Sequence, residues 1–190
     1  MKKLISALSF VVCFILAYSL RAETAGFSRV AIVGDSHVEA LGPELYAAFG
    51  LEGVSCQFKK ERGSKAEGWV GSPVLKRWMT EFDPQIVIVS FGTNEGMSNS
   101  SVDHLAASFQ ALVNQLKNGH NRRIIWITPP PFSKVLYLEN VRAALAEVKG
   151  IEVPDFSKNT YNENYTGKHL TRPSYWTLAD DIRRWLREHP

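Results

Sequence analysis

The chain has 190 residues, 45% of them hydrophobic and 22% charged, with 13 Gly and 9 Pro, a composition that suits one globular unit and excludes a repeat array, a coiled coil and a disordered acidic tail. The formal charge of +3 resides in the first 22 residues, where Lys2, Lys3 and Arg21 meet no acid, so residues 23–190 are neutral and the basic balance points to no nucleic-acid partner. A chain of this length buries a core without metal or disulfide staples.

Residues 1–22 carry a basic start (Lys2, Lys3), an apolar stretch from Leu4 to Leu20 and a small residue, Ala22, after Arg21. This pattern reads as a signal peptide, with a mature domain over 23–190 that is secreted or periplasmic. Leu20 is larger than the small residue preferred at its place, so cutting after Ala25, or no cutting, stays open. The 17-residue, predominantly apolar stretch 4–20 lies near the lower limit of roughly 17 to 25 for a membrane span, which makes an N-terminal anchor the alternative. Phe10-Val11-Val12 before Cys13 lacks the small residues of a lipidation site. Cys56 is then the lone cysteine of 23–190, and no intramolecular disulfide is expected.

Apolar runs follow at Val30–Val33 (ending in Gly34), Val54–Phe58, Gln85–Phe91, Arg123–Thr128 and Ile151–Val153. Continuous runs of this length suit strands buried on both faces. Between and after them lie helical periods: Val38, Leu41, Leu45 and Ala48; Val102, Leu105, Phe109, Leu112, Val113 and Leu116; Val135 to Val148; and Tyr175 to Leu186. Ser100 with Asp103 is expected to start the second helix and Gly119 to close it. The alternation predicts an α/β three-layer sandwich around a five-stranded, mostly parallel, doubly wound sheet. Ligands of such folds sit at the carboxyl ends of the strands.

Those ends carry Gly34-Asp35-Ser36-His37, Gly92-Thr93-Asn94-Glu95 and, before the last helix, Gly167-Lys168-His169-Leu170-Thr171. A Ser opening a helix has a hydroxyl near the positive dipole end and a free backbone N–H, which suits a nucleophile; taken alone, Ser36 reads first as an N-cap. Together the three motifs, over residues 29 to 187, resemble the SGNH or GDSL-type hydrolase superfamily. The resemblance implies a flavodoxin-like hydrolase fold, with Ser36 as nucleophile, His169 as general base and Asn94 as a side-chain oxyanion donor. It also implies a Gly after the second strand whose N–H joins the oxyanion hole, with Gly63 the first choice and Gly68 the second.

Two positions depart from the family pattern. Thr166 stands three residues before His169, where relatives carry the orienting Asp, and Glu95 stands where the third motif more often ends in Asp. The orienter is then Thr166, a backbone carbonyl, or a displaced Asp155 or Glu163. His37, about 100° around the helix from Ser36, is read as a pocket-edge residue and not as the base. His104, His120 and His189 are expected at the surface, and Pro129-Pro130-Pro131 as a stiff loop beside the cleft. No metal-ligand spacing and no glycine-rich phosphate loop is present, so no metal and no cofactor is expected. The resemblance implies an extracytoplasmic serine esterase acting through an acyl-enzyme on a small-molecule, glycan or lipid ester, foremost O-acetyl groups of carbohydrate or cell-envelope polymers. Alternatives are a lysophospholipase or thioesterase, and a degenerate, non-catalytic domain that binds envelope glycan. Contact with a membrane is expected only if the N-terminal segment is retained.

Overall fold

A computed structural model describes residues 26–156 and 158–190, so the leader or anchor expected over 1–22 lies outside the described residues. The elements run β1 (Arg29–Gly34), α1 (Ser36–Leu51), β2 (Ser55–Lys60), α2 (Ala66–Trp69), α3 (Pro73–Phe82), β3 (Ile86–Ser90), α4 (Val102–Lys117), β4 (Arg123–Trp126), α5 (Leu138–Glu147) and α6 (Arg172–Glu188). The sheet has the order β2-β1-β3-β4 and every pairing is parallel. The expected α/β class therefore holds. Val30 to Val33 of β1 and Val87 to Val89 of β3 are fully buried, because helices cover both faces of a parallel sheet and leave the strands no wet side.

Among the described residues the sheet has four strands, not five. In the apolar stretch Ile151–Val153 only Glu152 pairs, as an isolated parallel bridge to Ile125. Its carbonyl accepts from Trp126 N (2.8 Å) and its N–H donates to Ile124 O (2.8 Å). A turn at Gly150 precedes the stretch and Pro154, which has no N–H to give a ladder, follows it, so pairing stops after one residue.

Two helices, α2 and α3, fill the connection from β2 to β3, for which the sequence reading named no apolar stripe. Ser101, not Ser100, caps α4 by accepting from His104 N, and the helix ends in a left-handed turn at Asn118, with Gly119 also at positive φ directly after it. The ends of α3 and α4 are joined by Arg122, which is buried and donates to Met79 O (2.9 Å), Leu116 O (2.8 Å) and the Asp83 carboxylate (3.1 Å). A cation at two helix C-termini satisfies carbonyls that no further turn can reach. Cys56 is buried, and burial pushes its thiol up to about 12, which leaves it unreactive.

The chain reverses its direction of winding between β1 and β3, and at Gly34 these two strands leave no room for a side chain. A Cβ there would lie 2.3 Å from Ser90 O and 2.5 Å from a Val38 methyl. Gly34→Ala must part the two strands, and the expected outcome is a loss of about 1 to 3 kcal/mol in urea unfolding. Gly53→Ala, at a surface turn with no neighbour within 4 Å and φ +76°, should cost less by the same measurement.

Candidate active site

The end of β1 turns directly into α1. Asp35 caps that helix, accepting from His37 N (2.9 Å), so the N-cap role open to Ser36 belongs to its neighbour. Ser36 occupies the first helical position, and its N–H has no acceptor among the described residues. Its Oγ lies 2.7 Å from Nε2 of His169, a residue 133 positions away.

His169 is presented by a tight turn. Glu163 and Leu170 form an antiparallel bridge, Asn164 N donates to His169 O (2.8 Å) and Gly167 N to Asn164 O (3.1 Å). Within the turn, Thr166 Oγ1 stands 3.1 Å from His169 Nδ1, in the slot where the sequence offered no carboxylate. Asn164 Oδ1 receives both the Thr166 backbone N–H (2.9 Å) and the Thr166 hydroxyl (2.5 Å). The backbone donor fixes which end of the Asn164 amide is oxygen. With its proton given to Asn164, Thr166 Oγ1 can only accept from His169 Nδ1–H, and Nε2 is left with a bare lone pair facing the Ser36 hydroxyl. Asn164 is the residue that sequence reasoning missed; an Asn two positions before a Thr is a legible Asx-turn signal.

The displaced acids lie elsewhere. Glu163 is exposed and accepts from Ser133 N (2.9 Å). Both Asp155 and Glu163 line a separate cavity of about 710 Å³ beside Pro129, Pro130 and Pro131. Among the described residues no carboxylate hydrogen-bonds His169. Its proton affinity lies below the ordinary histidine value, first because of partial burial and then because of Lys168 and Arg62, with Glu39 opposing.

His37 is not at the pocket edge. It is buried behind His169, the ring centroids 5.1 Å apart at 33°, and Phe132 covers its other side at 5.2 Å. Its Nε2 lies 3.0 Å from Lys168 O, which can only accept, and the Tyr175 hydroxyl therefore donates to Nδ1 (2.9 Å). Burial pushes His37 down to about 3, with His169 adding to the effect. It is a neutral brace for the Lys168-His169 backbone.

The two glycine candidates separate clearly. Gly63 (φ +71°) lines the cleft with Ser36, and its N–H has no acceptor among the described residues. Gly68 lies in α2 and spends its N–H on Lys65 O (3.1 Å). Asn94 also lines the cleft, and its Nδ2 donates to Asp35 Oδ2 (3.0 Å) and Ser64 O (3.0 Å), so both amide hydrogens are engaged. Asp35 is buried, and desolvation raises its carboxyl to about 7 against the opposing His37 N–H. Glu95, also buried and raised by burial, accepts from Ala66 N (2.7 Å) and Gly92 N (3.0 Å). It ties the loop after β3 to α2.

Ser36, Gly63, Asn94, Asn164 and His169 thus meet in one cleft of about 670 Å³, at the carboxyl ends of β1 and β3. His104 (3.2 Å from Glu67), His120 (3.5 Å from Asp83) and His189 lie on the surface, as expected.

No protein-family model matches the chain and no curated protein matches it in sequence. Solved structures do match in shape. A family 3 carbohydrate esterase of Clostridium thermocellum superposes with a TM-score of 0.63 at 17% identity, covering 84% of this chain and 98% of the other. A family 3 carbohydrate esterase from Talaromyces cellulolyticus gives 0.68 at 16% identity over 85% and 97%. A GDSL-like lipase from Bacteroides thetaiotaomicron gives 0.65 at 15% identity over 91% and 98%. The chain has the fold of the SGNH or GDSL-type hydrolases.

The two facing histidines should hold opposite tautomers. Long-range ¹H–¹⁵N spectra at pH 7 are expected to show His169 protonated on Nδ1 and His37 on Nε2, and Thr166→Val should disturb the first and spare the second. Equal tautomers would contradict the hydrogen-bond directions deduced above.

Proposed function

We propose that the protein is an extracytoplasmic serine esterase that removes O-acetyl groups from carbohydrate or cell-envelope polymers through an acyl-enzyme. The observation that carries this reading is the 2.7 Å contact of Ser36 Oγ with His169 Nε2, a base whose lone pair Thr166 and Asn164 aim at the hydroxyl. His169 takes the Ser36 proton as Oγ attacks the ester carbonyl. The oxyanion is met by the Ser36 and Gly63 N–H groups, with Asn94 contributing once an amide hydrogen turns from Ser64 O or is shared with it. His169 then gives the proton to the leaving alcohol, and water repeats the sequence to free the acid.

The apolar side chains that line the cleft are few (Ala40, Pro43, Leu170 and the Tyr175 ring) and are interleaved with polar and charged ones, which favours a short acyl group. The shared fold with carbohydrate esterases supports the class of alcohol, and the basic and apolar start of the sequence supports the location. One observation favours a non-catalytic, glycan-binding domain instead: no carboxylate steadies the imidazolium. Thr166 keeps the tautomer and supplies no charge, so the reading carries a modest kcat.

A fluorophosphonate probe should label the wild type and leave Ser36→Ala unlabelled; equal labelling, or none in the wild type, favours the binding domain. Asn94→Ala should lower kcat by roughly 10² to 10³-fold, the usual loss for one oxyanion donor.

Thr166→Val should lower kcat and Thr166→Asp raise it, while Asp155→Asn and Glu163→Gln change it less than about threefold, since neither acid reaches the base. The acid limb of kcat/KM should have its midpoint below the ordinary histidine value, because the base works unprotonated and its surroundings disfavour the proton. A midpoint above that value would point to a carboxylate at the base.

A further inference from the structure

Charge in the cleft is unevenly compensated. Its charged lining residues are Glu39, Glu44, Arg62, Lys168 and Arg172. Glu39 is taken up by Lys60 (2.6 Å) and by both guanidinium nitrogens that Arg62 brings to it. Glu44 stands eight residues after Ser36 on α1, about 12 Å along the helix axis from the nucleophile. Lys168 and Arg172 form no ion pair among the described residues, yet they flank the base: Lys168 precedes His169, and Arg172 opens α6 three residues after it.

The Lys168 backbone and the Arg172 guanidinium are each held by other groups. The Lys168 backbone is fastened by its carbonyl to the buried His37. The Arg172 guanidinium lies 5.7 Å over the ring of Trp176, which is 47% exposed. A stacked guanidinium keeps its N–H edge available to a planar anion.

This arrangement opposes the chemistry unless something offsets it. His169 must become cationic as Ser36 attacks, Lys168 and Arg62 already repel that charge, and Thr166 provides no counter-charge. An anion placed on the leaving alcohol satisfies the unpaired cations and restores the missing negative charge at the same time.

We propose that the alcohol part of the ester is a sugar acid, its ring carboxylate seated between Lys168 and Arg172 while the acetyl group faces Ser36. The inference rests on the esterase reading and names its substrate class. The charged and amide side chains that share this lining, Arg62, Asn94, Asn164, Lys168 and Arg172, speak for a polyhydroxylated sugar ring over a lipid chain, although a lipid phosphate would present a similar anion.

The test compares acetate release from O-acetylated methyl galacturonoside with release from the same sugar after methyl esterification of its carboxylate. A long-chain lysophosphatidate serves as the lipid arm. At low salt the free acid should have a kcat/KM at least about tenfold higher than its neutral twin, and the ratio should shrink as salt screens the cations. In the Lys168→Gln/Arg172→Gln double variant the ratio should fall towards one. Equal or reversed values in the wild type overturn the inference and leave the esterase reading standing, and so does a ratio that survives the double variant. Faster turnover of lysophosphatidate overturns the sugar-acid assignment. Failure to release acetate from either sugar, or acid from the lipid, removes the esterase reading and the inference with it.

Discussion

The site depends on how closely β1 and β3 approach at their carboxyl ends. With no side chain on Gly34, Ser90 O comes within reach of Asp35 N (3.2 Å), and the two strand exits open side by side. One exit carries Asp35 and Ser36, the other Asn94 and Glu95. Their contact, Asn94 to Asp35 at 3.0 Å, fastens the Asn94 side of the cleft to the Ser36 side. In an open parallel sheet this is the point where the winding reverses and a crevice is unavoidable. A side chain at 34 would move both halves of the site at once.

Beneath that crevice the chain buries polar groups that a core normally excludes, and each is answered by a partner. Asp35 caps α1 and holds Asn94, Glu95 collects two backbone N–H groups from different segments, and His37 links Lys168 to Tyr175. Unanswered, any of them would cost on the order of 1 to 3 kcal/mol. Two of these groups act oppositely on stability. His37, lowered from 6.5 to about 3, contributes stability that is present above 6.5 and is lost as pH falls towards 3. Asp35, raised from 3.8 to about 7, contributes stability that is present below 3.8 and is lost as pH rises to 7. Over the shared window from about 4 to 6.5 the two slopes oppose each other.

In the proposed esterase, a hydroxyl at His169 Nδ1 in place of a carboxylate changes the character of the base. Thr166 performs the geometric half of the carboxylate's task because Asn164 consumes its proton and forces it to accept. The electrostatic half is left undone, and the cations around His169 make the deficit larger. Under the proposed sugar-acid specificity, the unpaired Lys168 and Arg172 are half of an interaction that the substrate completes.

Much was legible before any coordinates. Apolar runs bounded by glycine determined the parallel α/β class, since strands covered on both faces cannot afford polar residues. The short motifs at the run ends marked Ser36, Asn94 and His169 through their resemblance to the SGNH or GDSL-type hydrolases. Thr166 was visible as the place of the missing acid. The rest needed the tertiary structure. Whether Gly63 or Gly68 offers its N–H depends on a four-residue helix that leaves no periodic trace. The fifth strand shrank to one bridge because Pro154 and the turn at Gly150 limit a ladder whose partner lies 27 residues away in sequence. That Asn164 spends the Thr166 proton, that His37 lies behind His169 and not at the rim, and that Asp155 and Glu163 face another cavity are facts of side-chain direction. Direction is set by packing between segments distant in sequence, which composition and periodicity do not encode.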